Sequence, residues 1–159
     1  MRKRQIPTIT SLALALVAAV SPMAAQAKVK GPFVPVTEWF AHDLKLGCIN
    51  TNADRIPCPL TVDDNFRLYK SSDSETALVI IEYLPDATGN AGATAGAVVK
   101  LSPATGTWQI VKRAYDLGGQ EPEHVKFDRD SVSLVLKTFR PTDGRCCPSG
   151  HKTIKIPIS

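Results

Sequence analysis

Ala77-Leu78-Val79-Ile80-Ile81-Glu82-Tyr83-Leu84 is a nearly continuous apolar run rich in β-branched residues. A half-exposed strand would alternate polar and apolar positions, so this run predicts a central strand covered on both faces. Downstream, residues 97–101 and 107–115 flank Ser102-Pro103-Ala104-Thr105-Gly106. Proline suits an early turn position and glycine a left-handed exit, which predicts a hairpin. Residues 125–127 and 131–139 flank Asp128-Arg129-Asp130, and Val132, Leu134 and Leu136 share one face by period two. The final strand alternates Ile154, Ile156 and Ile158 with Thr153, Lys155 and Pro157. Proline cannot donate to a ladder, so Pro157 marks an edge strand or a strand end. The same alternation places Trp108, Ile110, Val132, Leu134, Leu136, Ile154 and Ile156 in the core.

Upstream of the run, Val36, Trp39, Phe40 and Leu44 fall at helical spacing after a candidate cap at Thr37 and before Gly47. Residues 50–59, rich in Asn, Asp and Pro, and residues 86–96, rich in Gly, Ala and Thr, read as irregular. Short links between successive strands favour antiparallel order. The predicted class is α+β, an antiparallel β-meander with one N-terminal helix packed on it; an all-β fold is the alternative.

Residues 1–27 have the pattern of a cleavable secretory signal. Arg2, Lys3 and Arg4 form a basic start, residues 9–20 are apolar apart from Thr10 and Ser11, and Ala25-Gln26-Ala27 ends the segment with small residues. The apolar stretch is shorter than the roughly 20 residues of a permanent span. The expectation is export to the periplasm or secretion, with a single domain over residues 28–159 that begins at Lys28 and has no membrane span of its own. The first cysteine is Cys48, so none stands where a lipid would be attached.

Removing that segment alters the charge balance. The chain has 19 Lys and Arg against 15 Asp and Glu, and three of the bases lie in the signal, leaving 16 against 15. Phosphate recognition needs a clustered basic excess, so nucleic acid is not an expected partner. The bases are scattered apart from Lys112-Arg113 and read as solvated charge.

The four cysteines are Cys48, Cys58, Cys146 and Cys147. In an exported chain an even count implies disulfides. Pairing Cys48 with Cys58 closes a short loop and leaves Cys146 and Cys147 to form a vicinal bond or stay reduced. The other two connectivities tie the early segment to the final hairpin and close larger loops. The residues alone leave the choice open.

Several constellations resemble chemical sites, and each has a plainer reading. Adjacent cysteines before a proline lack the two-residue spacing of a thioredoxin-type dithiol. Asp143, Cys146, Cys147 and His151 include metal-ligand types, but zinc ligands are normally spaced more widely. His42 and His124 stand alone beside Asp43 and Glu123 and read as surface histidines. Ser149 and His151 are too close in sequence for an ordinary triad, and no Gly-x-Ser-x-Gly elbow is present. The glycine-rich residues 89–96 lack the Gly-Lys-Ser/Thr ending of a phosphate loop. Asp63-Asp64-Asn65 and Asp73-Ser74-Glu75 lack the alternating acids of a calcium loop and read as solvated turns. No catalytic, cofactor or metal residue is therefore expected.

The run Arg140-Pro141-Thr142-Asp143-Gly144-Arg145-Cys146-Cys147-Pro148-Ser149-Gly150 resembles the D-x-R-C-C-P-S segment of small exported bacterial proteins. The named group to which it is most similar is the LppP/LprE-like lipoproteins. The resemblance covers roughly the C-terminal half, and the chain departs from that group in lacking a cysteine at the cleavage site. It implies an envelope location and a compact β-rich domain, and brings no catalytic residues with it. It also favours Cys146-Cys147 as a self-sufficient unit, and hence the local pairing of Cys48 with Cys58. The function expected is a noncatalytic exported domain that binds a protein or an envelope component. The alternatives are a periplasmic inhibitor or immunity-type protein, whose plug would be the loop at residues 50–57, and a small hydrolytic or redox enzyme.

Overall fold

The computed structural model describes residues 31–58, 60–85, 92–144 and 147–158, with the side chain of Leu44 excepted. The expected signal segment lies outside them. The order is α1 (Phe33–His42), a 3-10 turn (Leu44–Leu46), β1 (Cys48–Ile49), β2 (Arg55–Ile56), α2 (Val62–Asn65), β3 (Phe66–Lys70), β4 (Thr76–Tyr83), β5 (Ala93–Ser102), β6 (Thr107–Ala114), β7 (Gln120–Phe127), β8 (Ser131–Thr138) and β9 (Gly150–Pro157). All pairings are antiparallel, in a two-stranded ribbon β1-β2, a four-stranded sheet β3-β4-β5-β6 and a three-stranded sheet β7-β8-β9. The class is α+β, with a meander in each larger sheet.

The apolar run becomes β4, and its two faces belong to two cores. Ala77, Val79, Ile81 and Tyr83 pack with Val36, Trp39 and Phe40 of α1, while Leu78 and Ile80 pack with Val132, Leu134, Leu136 and Ile156 of the second sheet. The molecule is thus layered as helix, four-stranded sheet and three-stranded sheet. Successive strand residues point to opposite faces, so a strand covered on both sides has no place for a polar alternation. In β5, Ala95 and Ala97 on the helix face are both buried, and their small side chains leave room for the Trp39 and Phe40 rings.

α1 starts earlier than expected. Pro32 is its N-cap and Thr37 lies within it, its Oγ1 donating to the carbonyls of Phe33 (3.1 Å) and Val34 (2.9 Å). A threonine hydroxyl inside a helix bonds back to the preceding turn in this way. Leu44 falls in the 3-10 turn after the helix has ended at His42.

Of the expected core, Val132, Leu134, Leu136 and Ile156 are buried, whereas Trp108, Ile110 and Ile154 are half-buried and pack at core margins. Trp108 and Ile110 lie on β6, an edge strand that α1 covers in part. β6 also changes face midway: Val99 pairs with Ile110 but Val98 with Lys112, so Val111 is an extra residue. The bulge turns Ala114 into the core between the sheets and leaves Val111 exposed.

β7 is longer than expected and runs through Pro122. Its register against β8 jumps twice, between Gln120 and Glu123 and between Glu123 and Lys126. Glu121 and His124 take φ of 50° and 51° there, the left-handed region. Bulges on an edge strand tolerate proline because the ladder is already interrupted. His124→Val is expected to lower stability by about 1–2 kcal/mol, since a β-branched side chain resists positive φ, whereas His124→Gly stays within about 0.5 kcal/mol of the parent. Urea titration of both variants checks this, and equal tolerance of valine and glycine would rule out the strained bulge.

Candidate functional site

Cys48 and Cys58 form a disulfide, with Cα atoms 4.9 Å apart. It staples the β1-β2 ribbon, part of the stretch expected to be irregular, and its loop is braced from within. The Asn50 side-chain oxygen accepts from the amides of Asn52 and Asp54, both at 2.9 Å, and Ala53 takes a left-handed φ of 65°. Residues 51–57 are all exposed. Cys147 is also disulfide-bonded, and Cys146 lies outside the described residues.

The ribbon forms one side of a cleft of about 550 Å³ at the pole where β4 ends, β5 begins and β6 crosses to β7. Lys45, Ile49 and Arg55 line it from the ribbon side, Tyr83 and Thr94 from the central strands, and Lys137 and Phe139 from the second sheet. Tyr115, Asp116, Gly118 and Gly119 of the crossover line its remaining side. The crossover is laced to β5: Leu117 N–H donates to the Thr94 carbonyl (2.9 Å), and the Thr94 hydroxyl donates to the Gly119 carbonyl. Leu117 itself is buried between the sheets. At Gly119 a Cβ would lie 2.7 Å from Leu136 Cβ and 2.8 Å from the Lys137 carbonyl, so only glycine lets the crossover approach β8.

Aromatic and charged groups are fixed around this opening. The Trp39 and Tyr115 rings meet edge to face at 5.5 Å, and the Lys45 ammonium sits 5.2 Å from the Tyr115 ring centre. Asp43 is held below its ordinary carboxylate value, chiefly by the Tyr115 hydroxyl and further by the Lys45 backbone amide and the Trp39 indole, against burial. Tyr83 packs on Phe40 at 5.0 Å, and its hydroxyl is pushed up in pKa by burial and then by Asp116, with Arg55 opposing. Lys137 is pushed up by Glu121, whose carboxylate lies 2.5 Å away, with Glu123 at 3.6 Å. Asp116 accepts from the Gly118 amide at 2.7 Å.

Two exposed apolar side chains stand at the same opening. The exposed large hydrophobics among the described residues are Ile56 (38%), Leu84 (58%), Val111 (41%), Tyr115 (39%) and Phe139 (51%). Tyr115 and Phe139 line the cleft, and Ile56 and Leu84 each adjoin a lining residue in the chain. Val111 lies apart from the cleft, on the bulge of β6.

The constellations singled out in the sequence separate. Ser149 Oγ donates to Asp143 Oδ1 (2.6 Å), and Asp143 Oδ2 accepts from the amides of Arg140 (2.7 Å) and Ser149 (2.8 Å). Asp143 thus ties the turn before β9, and Ser149 has a structural bond with it. His42 pairs with the Glu38 carbonyl at 2.8 Å. His124 belongs to the bulge, and Asp73 accepts from the Ser71 hydroxyl and the Glu75 amide. Among the described residues no three His, Cys, Asp or Glu side chains are grouped to hold a metal, and no helix is long and apolar enough to cross a membrane. Residues 86–91, Arg145 and Cys146 lie outside the described residues, and with them three of the eight residues 89–96 and one of the metal-ligand types considered; Ala93 to Gly96 belong to β5.

The three bonds to Asp143 make an acid-sensitive turn. They hold its carboxyl below the ordinary 3.8, the Arg140 amide foremost, so the unfolded group has the higher pKa. The stabilisation is present above about pH 4 and is lost as the pH falls through the lowered folded pKa. Protection of the Arg140 and Ser149 amides, taken relative to the intrinsic exchange rate at each pH, should fall in acid, whereas in Asp143→Ala it should be low across the range. Exchange in the parent with no such acid step would count against these bonds.

The chain matches no family model, no curated protein and no solved structure.

The cleft was not legible in advance, because its residues come from six short segments, each ordinary in isolation. Leu84 at the end of the apolar run and Phe139 after β8 were the available signals: both are large apolar residues just beyond a strand, where chain leaves the core.

Proposed function

We propose that this protein is a noncatalytic exported domain that binds a protein or an envelope component through its cleft pole. The exposed Tyr115 and Phe139 side chains at a glycine-lined opening carry the reading. Scattered exposed apolar residues are ordinary, but a cluster rimmed by charged groups marks an interaction surface. The cleft also lies within the roughly 300–1,000 Å³ range of ligand sites. A periplasmic or secreted location is supported by the Cys48–Cys58 disulfide and by the signal-like residues 1–27. The resemblance of residues 140–150 to the LppP/LprE-like lipoproteins supports an envelope setting.

Leu84→Asp and Phe139→Asp alter exposed side chains and leave the core intact. Crosslinking capture from the native envelope should return a partner with the parent and with Val111→Asp, and lose it with either cleft-pole variant. Equal capture by all four proteins would overturn the assignment of the cleft.

An inhibitor is the second reading, favoured by the exposed and internally braced loop at residues 51–57 closed by the disulfide. A rigid loop loses little entropy on docking, which suits a plug. If the captured partner were an enzyme, and Asn52→Arg abolished its inhibition while Phe139→Asp did not, this reading would replace the first.

A further inference from the structure

We infer that the cleft takes the C-terminal carboxylate of a peptide chain whose last side chain is apolar. The inference rests on the proposed binding role of the cleft and supplies the chemistry of its occupant. Lys45, Arg55 and Lys137 line the opening from three different elements, against Asp116 as the lining acid. These charges are not equivalent. Lys137 is neutralised by Glu121 and Glu123, and Asp116 has one oxygen engaged by Gly118 N–H. Lys45 makes no ion pair within 4.0 Å among the described residues; its ammonium lies over the Tyr115 ring.

A cation held over an aromatic face keeps its N–H donors available, so an incoming carboxylate gains charge-assisted bonds without displacing an existing partner. Arg55 lines the same opening from β2. Beside these groups stand Phe139, half of it open to solvent, and Tyr115. They offer an apolar surface for the side chain that precedes the carboxylate. Asp43 is within electrostatic reach of Lys45 but does not line the cleft, so a carboxylate in the cleft would be the acid facing Lys45 from that side, and a cationic ligand would meet its charge directly. The volume of about 550 Å³ suits a chain end of two or three residues.

The test compares N-acetyl-Ala-Ala-Phe as the free acid with its C-terminal amide, titrated by calorimetry against the protein from residue 28 onward. The free acid should bind at least about ten-fold more tightly, the effect of one charge-assisted hydrogen bond. Lys45→Gln, an exposed change, should bring the two peptides close to equality, and Phe139→Ala should weaken both. Equal affinity of acid and amide for the parent, or no binding of either, would overturn the inference. In either of those cases, loss of partner capture by Leu84→Asp and Phe139→Asp would still uphold the cleft as the binding site. Retention of capture would instead remove the reading on which the inference stands.

Discussion

Replacing Ile80 by alanine should lower the unfolding free energy by about 3–4 kcal/mol, within the range for large aliphatic deletions from a packed core. Ile80 is fully buried in the core between the sheets. Its place on β4 makes collapse around the lost atoms difficult, because the other face of the strand is pinned by the helix-side core. Gly96 shows how tightly the site is filled: a Cβ there would lie 3.0 Å from Ile80 Cδ1, 3.3 Å from the Val79 carbonyl and 3.4 Å from Leu117 Cδ1. Gly96→Ala alone should therefore destabilise, whereas in the Ile80→Ala background it should cost little or restore part of the loss. Residues sharing one cavity couple in this non-additive way. Denaturant titration of the four proteins closes the cycle. Additive losses would mean that the two residues do not share a cavity.

The second large effect concerns the ribbon. Changing Cys48 and Cys58 together to alanine should cost about 2–3 kcal/mol, from the entropy released to the unfolded chain by opening a loop with a sequence separation of 10. The loss should also be local. The ribbon has two paired residues on each strand, and two short strands are marginal without support. Amide exchange should rise through residues 48–58 while β4, β5 and β8 keep their protection. Because Ile49 and Arg55 line the cleft, partner capture should weaken in the same variant. Preserved protection of Asn50 and Asp54 would show that the internal bonds of the loop hold it without the disulfide.

The sheet was legible in the sequence wherever burial is uniform or strictly alternating. Residues 77–84 and β8 announce themselves because one rule governs each from end to end, whereas β6 keeps its alternation only as far as the bulge at Val111. The parts that escaped obey two rules at once. β3 has Phe66 and Leu68 facing α1 and Tyr69 facing the second sheet, where its hydroxyl bonds the Pro122 carbonyl at 3.1 Å. With Arg67 among them and Lys70 after them, these residues show no clean period. In β7, each bulge resets the alternation after three residues, so Glu121-Pro122-Glu123-His124 reads as a loop. The local disulfide was one of several arrangements the spacing allowed, favoured only through the resemblance of the second cysteine pair. The cleft belongs to the packing of distant segments, and no local pattern encodes that.

The twice-bulged β7 also makes its flank a poor template for a second chain. An unpaired strand margin with regular spacing is a template on which another chain can add, hydrogen bond by hydrogen bond, until a fibril forms. Here the spacing is broken after Gln120 and again after Glu123, so the donors and acceptors along that margin fall out of step with any straight partner. Crowded molecules can therefore collide along this flank without polymerising.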